Sequence, residues 1–182
     1  MRLQPVLFAL ILLLGFTFSA HANLVANSGF ESNDLTDWTL TPGANPLTVV
    51  DNLSPYDGLY AASFGAFESV DTLSQSLGTT ASKTYELSFW LSNTDTLHAN
   101  TFEVWWNGTL LQSWVNADPF AYSQFNYYVT ATSTATTLEF KGFNDDGYYR
   151  LDDVNVPEPA LAGLFSLGLV GLALFRKRQG AV

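Results

Sequence analysis

The sequence predicts an all-β protein, an antiparallel β-sandwich, on three observations. From Tyr85 to Leu91, the residues Tyr85, Leu87, Phe89 and Leu91 alternate with Glu86, Ser88 and Trp90, the period of two that a strand with one buried face produces. Two further runs, Thr101–Trp106 and Thr109–Val115, are separated by Asn107-Gly108, a pair that favours a type I′ hairpin because both central residues need positive φ. No segment between residues 23 and 156 carries a helical period.

Taken in order, Met1–Ala22 has a basic residue at Arg2, an apolar run from Val6 to Phe18 and the small-residue site Ala20-His21-Ala22. This is the pattern of a secretory signal-peptide helix, which signal peptidase would remove to leave Asn23 as the first residue. Asn23–Glu31 opens with Leu24-Val25 and continues into the turn cluster Asn27-Ser28-Gly29. After the strand at Tyr85–Leu91 and the hairpin, Phe125–Ala131, Thr137–Lys141 and Tyr149–Val156 read as strands, with the turn-rich Asn144-Asp145-Asp146-Gly147 before the last. In the hairpin, Phe102, Val104 and Trp106 form the inner face, and Trp105 lies with Thr101 and Glu103 on the wetter one.

The tail from residue 157 to 182 is different. Pro157-Glu158-Pro159 is an extended, non-helical stretch, because proline fixes φ and biases its predecessor away from helix. An uncharged run of 16 residues follows, Ala160–Phe175. As a helix it would reach about 24 Å, a minimal span for a ~30 Å hydrocarbon core. Arg176-Lys177-Arg178 would stay on the cytoplasmic side. Three segments result: a signal peptide (1–22), a β-sandwich ectodomain (23–156) and a membrane-spanning tail (157–182).

Composition narrows the partners. Residues 23–156 hold 16 of the 17 acids and three of the seven bases, a net charge of 3 − 16 = −13. Nucleic acid is therefore excluded as a partner, since phosphate binding needs the opposite sign. Cysteine is absent, so the exported domain must be held by core burial, with a bound ion as an additional clamp. Beyond the signal peptide the one histidine is His98, in a polar loop. There is no cysteine nucleophile and no serine elbow motif, so the chain reads as non-enzymatic, with a small hydrolase built on a carboxylate pair ranking third among the functional readings.

Two resemblances add to this. The succession Pro157-Glu158-Pro159, a short apolar helix containing Gly163, Gly168 and Gly171, and Arg176-Lys177-Arg178 resembles the PEP-CTERM sorting signal of Gram-negative bacteria, also known as an ice-binding protein C-terminal domain. That resemblance implies a transient inner-membrane anchor, cleavage near the Pro-Glu-Pro motif by an exosortase, and release to the cell envelope or an extracellular polysaccharide matrix. The ectodomain stretches Asn23–Glu31 with Trp38, Asp57-Gly58-Leu59-Tyr60-Ala61-Ala62, Leu73–Leu77, Tyr85–Trp90 and Leu151-Asp152-Asp153-Val154 resemble a galactose-binding-like jelly-roll carbohydrate-binding module. This second resemblance implies a jelly-roll sandwich with a structural calcium tying its first strand to its last.

Glu31, with Asp152 or Asp153, stands at the two ends of the domain and supplies the oxygen ligands that Ca²⁺ takes. Asp57, before a glycine turn, is a further candidate. The alternation Asp152, Val154, Val156 turns Asp152 toward an apolar face. A carboxylate so placed needs an ion, a set of hydrogen bonds or a raised pKa. For a glycan, Trp90 and Trp105 on the polar faces of their strands are the stacking candidates. The leading expectation is an exported matrix or envelope protein whose jelly roll binds a polysaccharide. Its alternative is a calcium-stabilised structural or adhesive component of the same fold.

Overall fold

The computed structural model describes residues 22–94 and 99–159; the expected signal peptide as far as His21, His98 and the apolar and basic parts of the tail lie outside the described residues. Ten strands form two antiparallel five-stranded sheets, and among the described residues there is no helix. In chain order these are β1 (Thr39–Thr41), β2 (Thr48–Asp51), β3 (Ala61–Phe64), β4 (Asp71–Gly78), β5 (Thr84–Asn93), β6 (Asn100–Trp106), β7 (Thr109–Val115), β8 (Phe120–Thr130), β9 (Ala135–Asn144) and β10 (Tyr149–Asn155). One sheet has the order β1-β4-β9-β6-β7 and the other β2-β3-β10-β5-β8.

The period-two reading of β5 holds: Tyr85, Leu87, Phe89 and Leu91 are all buried, while Glu86 is exposed and Trp90 half-buried. The hairpin between β6 and β7 turns at Asn107 (φ 48°) and Gly108 (φ 77°), the double positive φ of a type I′ turn. Phe102, Val104 and Trp106 are buried and Trp105 is not. The core between the sheets is aromatic. Phe140 of β9 meets Phe89 of β5 edge-on at 5.3 Å, and Phe64 of β3 meets Phe102 of β6 in the same manner at 5.2 Å. Trp38 lies against both Phe30 and Phe140 and donates its indole N–H to the Asn27 carbonyl.

Strands β1 to β4 were not expected from periodicity, and each hides its pattern differently. The first two have three and four residues, too few to show a period. All four residues of β3 are buried, so it does not alternate. In β4 the inward row Asp71, Leu73, Gln75, Leu77 contains two polar residues. Both are satisfied inside: Asp71 accepts from the Gly43 and Leu47 amides and the Thr48 hydroxyl at 2.8–3.0 Å, and the Gln75 side chain pairs with both backbone groups of Ala26.

The first segment differs from a regular strand. Its pairing with the end of the chain is a single bridge, Asn23 opposite Pro157, followed by turns through residue 32.

The alternation assumed at the end of β10 is also broken. Asp153 adopts φ 47° and the register with β5 shifts between Asp152 and Asn155, the signature of a β-bulge. Asp152 stands opposite Trp90, and Asn155 opposite Ser88. Both therefore face outward, while Val154 and Val156 point into the core. Asp152 does not share a face with those valines, because the extra residue of the bulge reverses the alternation.

If Phe140 is the hub of the core, Phe140→Ala should lower unfolding stability by about 3–5 kcal/mol in a denaturant titration, against a fraction of that for an exposed change such as Tyr128→Ala.

Candidate functional site

The site is assembled on the outer face of the sheet β2-β3-β10-β5-β8. Strand pairing sets its side chains in rows. One row is Val49, Ser63, Arg150 and Ser92, each opposite the next. The neighbouring row toward the end of β10 contains Asp51, Asp152, Trp90 and Gln124. On the other side lie Gly65 and Tyr148, and Tyr148 packs so closely over Gly65 that a Cβ there would meet the ring at 2.4 Å.

The loop of residues 52–60 crosses the Asp152 row as a strap, and four residues outside it latch it. Asp152 Oδ2 accepts the amides of Tyr56 and Asp57 at 2.9 and 3.2 Å. Glu31 Oε1 accepts those of Leu59 and Tyr60 at 2.9 and 3.0 Å. The Tyr122 hydroxyl, reaching from β8, donates to the Ser54 carbonyl at 3.0 Å. Tyr56 stacks on Trp90 with ring centroids 3.8 Å apart and planes 13° from parallel. Glycine is required at 58, where φ is +66° and a Cβ would collide with the Glu31 carboxylate.

Burial governs the electrostatics under the strap. It pushes the Asp152 carboxyl up to about 6, against the lowering effect of the Asp57, Asp153 and Tyr56 amides and with a further rise from the Asp153 charge. Burial also raises the Tyr122 phenol, with the nearby Asp152 charge acting in the same direction. In the Arg150 row, Nη1 of the buried guanidinium bonds Asp51 Oδ1 at 3.0 Å, and Tyr148 lies beside it with its ring centroid 5.5 Å from Cζ. Two buried polar atoms in this row have no hydrogen-bond partner, Arg150 Nε and Ser63 Oγ.

The four metal candidates are distributed unequally. Glu31 and Asp152 come together around Gly29, whose Cβ would lie 3.8 and 3.7 Å from them. Asp153 is exposed on the bulge, and Asp57 contributes a backbone amide to Asp152 while its side chain lies on an exposed turn. Among the described residues no three His, Asp or Glu side chains converge to hold a metal ion. The amides around Asp152 provide the hydrogen-bond alternative to an ion.

The two tryptophans do not form one platform, because they project from opposite sheets. One face of Trp90 is covered by Tyr56. Trp105, on the outside of β6, donates its indole N–H to Glu103 at 2.8 Å and carries Lys141 Nζ 4.5 Å from its ring centroid. The residues that sequence reasoning missed are Arg150, Ser63, Tyr56, Tyr122 and Tyr148. The signal available was Arg150 itself, one of three bases in the domain and set within a strand directly after two tyrosines.

No protein-family model matches the chain, and no curated protein sequence does. Solved structures do match, at the level of fold. TmCBM61 in complex with beta-1,4-galactotriose aligns with a TM-score of 0.58 at 18% identity, over 75% of this chain and 99% of that one. The CBM22-1 xylan-binding domain of Paenibacillus barcinonensis Xyn10C aligns with a TM-score of 0.53 at 16% identity, over 78% of this chain and 98% of its own. The K3 cleaved adhesin domain of Lys-gingipain from Porphyromonas gingivalis aligns at 0.58 and 15% identity, over 75% and 98%. The chain thus has the β-sandwich fold of carbohydrate-binding modules, a fold shared with adhesin domains.

The raised Asp152 pKa has a definite sign. Between the ordinary 3.8 and about 6 the folded state holds a proton that the unfolded state has lost. The group's contribution to stability is therefore complete below 3.8 and disappears as pH rises through about 6. In chelator, wild type compared with Asp152→Asn should lose unfolding free energy between pH 4 and pH 7. A flat difference across that range would mean the carboxylate is not desolvated.

Proposed function

We propose that the chain is an exported, non-enzymatic envelope or matrix protein whose sandwich binds a neutral polysaccharide along the Arg150 row. The observation that carries this reading is the pair of unpartnered buried donors, Arg150 Nε and Ser63 Oγ. They lie on a floor of small residues between the strap and Tyr148. Ser63 is wholly buried and Arg150 nearly so, so a sugar ring would take these donors by displacing the side chains that cover them, with aromatic edges beside it. The Arg150–Asp51 pair is neutral as a unit, and the domain around it is strongly acidic, so uncharged hydroxyls fit better than uronates. The fold similarity to modules solved with galactotriose or described as xylan-binding supports the same substrate class. The carboxylates Glu31, Asp71 and Asp152 are engaged with backbone amides, which supports structural rather than catalytic roles. Delivery would follow the tail: signal peptidase at the front, and an exosortase-type enzyme near Pro157-Glu158-Pro159.

Arg150→Met and Tyr148→Ala should each weaken retention of the exported chain on neutral polysaccharide columns by roughly tenfold, the equivalent of about 1.4 kcal/mol. Trp105→Ala, on the opposite sheet, should leave it unchanged. Equal retention of all variants, or of none including wild type, would favour the structural or adhesive reading that the adhesin-like fold also suits.

Calcium belongs to the same proposal. Asp152 and Glu31 keep free lone pairs beyond the amides they accept, and a buried carboxylate with a raised pKa is one that a cation would relieve. When bound, the ion would cross-link the segment before β1 to β10. Millimolar calcium should then raise the melting temperature over chelator, by mass action on the folded state. It should also reverse the pH trend of Asp152. Magnesium should substitute poorly because it demands tight octahedral geometry, and Glu31→Gln or Asp152→Asn should abolish the shift. Equal melting in calcium and chelator would leave both carboxylates as amide acceptors alone.

A further inference from the structure

Two processing points, far apart in sequence, are hydrogen-bonded to each other. The backbone bridge between Asn23 and Pro157 consists of two bonds, Leu24 N–H to the Val156 carbonyl at 2.9 Å and Glu158 N–H to the Ala22 carbonyl at 3.0 Å. Proline has no amide hydrogen, so Glu158 N–H is the one backbone donor that Pro157-Glu158-Pro159 possesses. Its acceptor belongs to Ala22, the residue on the leaving side of the signal-peptide bond. The Asn23 side chain independently holds the end of β10, donating to the Val154 carbonyl at 2.9 Å and accepting the Val156 amide at 2.8 Å.

We infer that removal of the signal peptide is the step that releases the Pro-Glu-Pro segment, so that hydrolysis at Ala22–Asn23 comes before cleavage of the tail and speeds it. Water adds across the Ala22–Asn23 amide, leaving a carboxylate on the departing peptide and an ammonium on Asn23. The Ala22 carbonyl departs with the former, and Glu158 loses its partner. The second backbone bond and both Asn23 side-chain bonds involve residues on the retained side, so the chain stays fixed as far as Val156. The boundary between held and free backbone moves from Glu158 back to Pro157. A protease that takes its substrate as an extended strand needs that backbone unpaired, because such recognition uses main-chain hydrogen bonds. The uncut precursor, once folded, occupies the donor; the signal-processed form presents it. Asn23 acts as a positioning residue that fixes where the accessible stretch begins. This order of events rests on the tail-processing reading above.

The test uses the full chain in a host that processes it. Ala20→Leu with Ala22→Leu removes the small residues that signal cleavage requires while keeping the Ala22-position carbonyl. Mass spectrometry of envelope fractions should show wild type beginning at Asn23 without its tail, and the double variant retaining both ends. A double variant that keeps its signal peptide yet loses its tail at the wild-type rate would overturn the inference. Wild type that keeps its tail would instead sink the processing reading itself. Should the double variant fail to reach the envelope, hydrogen exchange on the detergent-extracted precursor and on the signal-processed, tail-bearing chain decides. The peptide covering residues 157–159 should gain one unprotected amide on signal removal, and equal protection in the two forms would overturn the inference.

Discussion

The outward position of Asp152 is the constraint on which the candidate binding face depends. Its face follows from alternation with Leu151 and from pairing opposite Trp90, which sets the carboxylate beneath the loop of residues 52–60, and the extra residue Asp153 at positive φ turns Val154 and Val156 inward behind it. Burying a charge there is costly, and three backbone amides offset part of the cost. The remainder appears as the carboxyl's resistance to ionisation. Without Asp152, the amides of Tyr56 and Asp57 would lose their acceptor, Tyr56 would lose its registration on Trp90, and the strap would have only Glu31 and Tyr122 to hold it. The sheet itself needs none of this, since its core is closed by Phe64, Phe89, Phe102 and Phe140. The bulge thus serves both, leaving Asp152 outside under the strap and returning Val154 and Val156 to the core.

The same device recurs wherever this cysteine-free domain must hold irregular backbone. Asp71 gathers the segment before β2 with two amides and a hydroxyl. Gln75 acts as a short strand partner for Ala26, and Asn23 does so for the end of β10. At the other end, Asn144 bonds Asn93 across the sandwich at 3.0 Å, and the Asn93 and Asn100 amides share the Ala117 carbonyl. A buried side-chain acceptor left without its donors would cost more than the bond returns. These residues thus fix specific loop conformations, which aliphatic burial alone could not specify. The irregular segments of both sheets are in this way pinned individually.

Much of the fold was legible because the long strands obey the rule of two: β5 and β6 alternate, and Asn107-Gly108 sets its turn by backbone sterics alone. What was not legible depends on partners distant in sequence. The polar inward residues of β4 look like errors in a strand until Ala26, Gly43 and Thr48 are seen around them. Alternation with Val154 and Val156 assigns Asp152 to the wrong face, because a bulge leaves no sign in a single sequence beyond an Asp-Asp pair. Trp90 and Trp105 have the same local pattern. Pairing order, which sequence does not show, separates them onto opposite sheets. The strip around Arg150 was missed because its components come from four strands, so that Ser63 and Ser92 signify nothing until Arg150 stands between them. The tail reads as an apolar run with charged flanks, whereas the bond from Glu158 to Ala22 shows only once the chain is folded.

Strand β10 connects these themes. Arg150 lies at its start, the bulge interrupts it, and Pro157 follows its end. Pro157 lies seven positions beyond Arg150, roughly 20 Å along an extended strand. The proposed binding strip is therefore at the opposite end of β10 from the point where the tail leaves the domain. The strap and the Glu31–Asp152 pair occupy the middle, so an ion bound there would stiffen the strand between the point of attachment and the point of contact with ligand. Processing at the bridge would alter the near end without disturbing the far one, because Asn23 retains Val154 and Val156 after Ala22 is lost. In this arrangement the proposed delivery and recognition would share a strand while depending on separate sets of hydrogen bonds, so that either could be changed by mutation without abolishing the other.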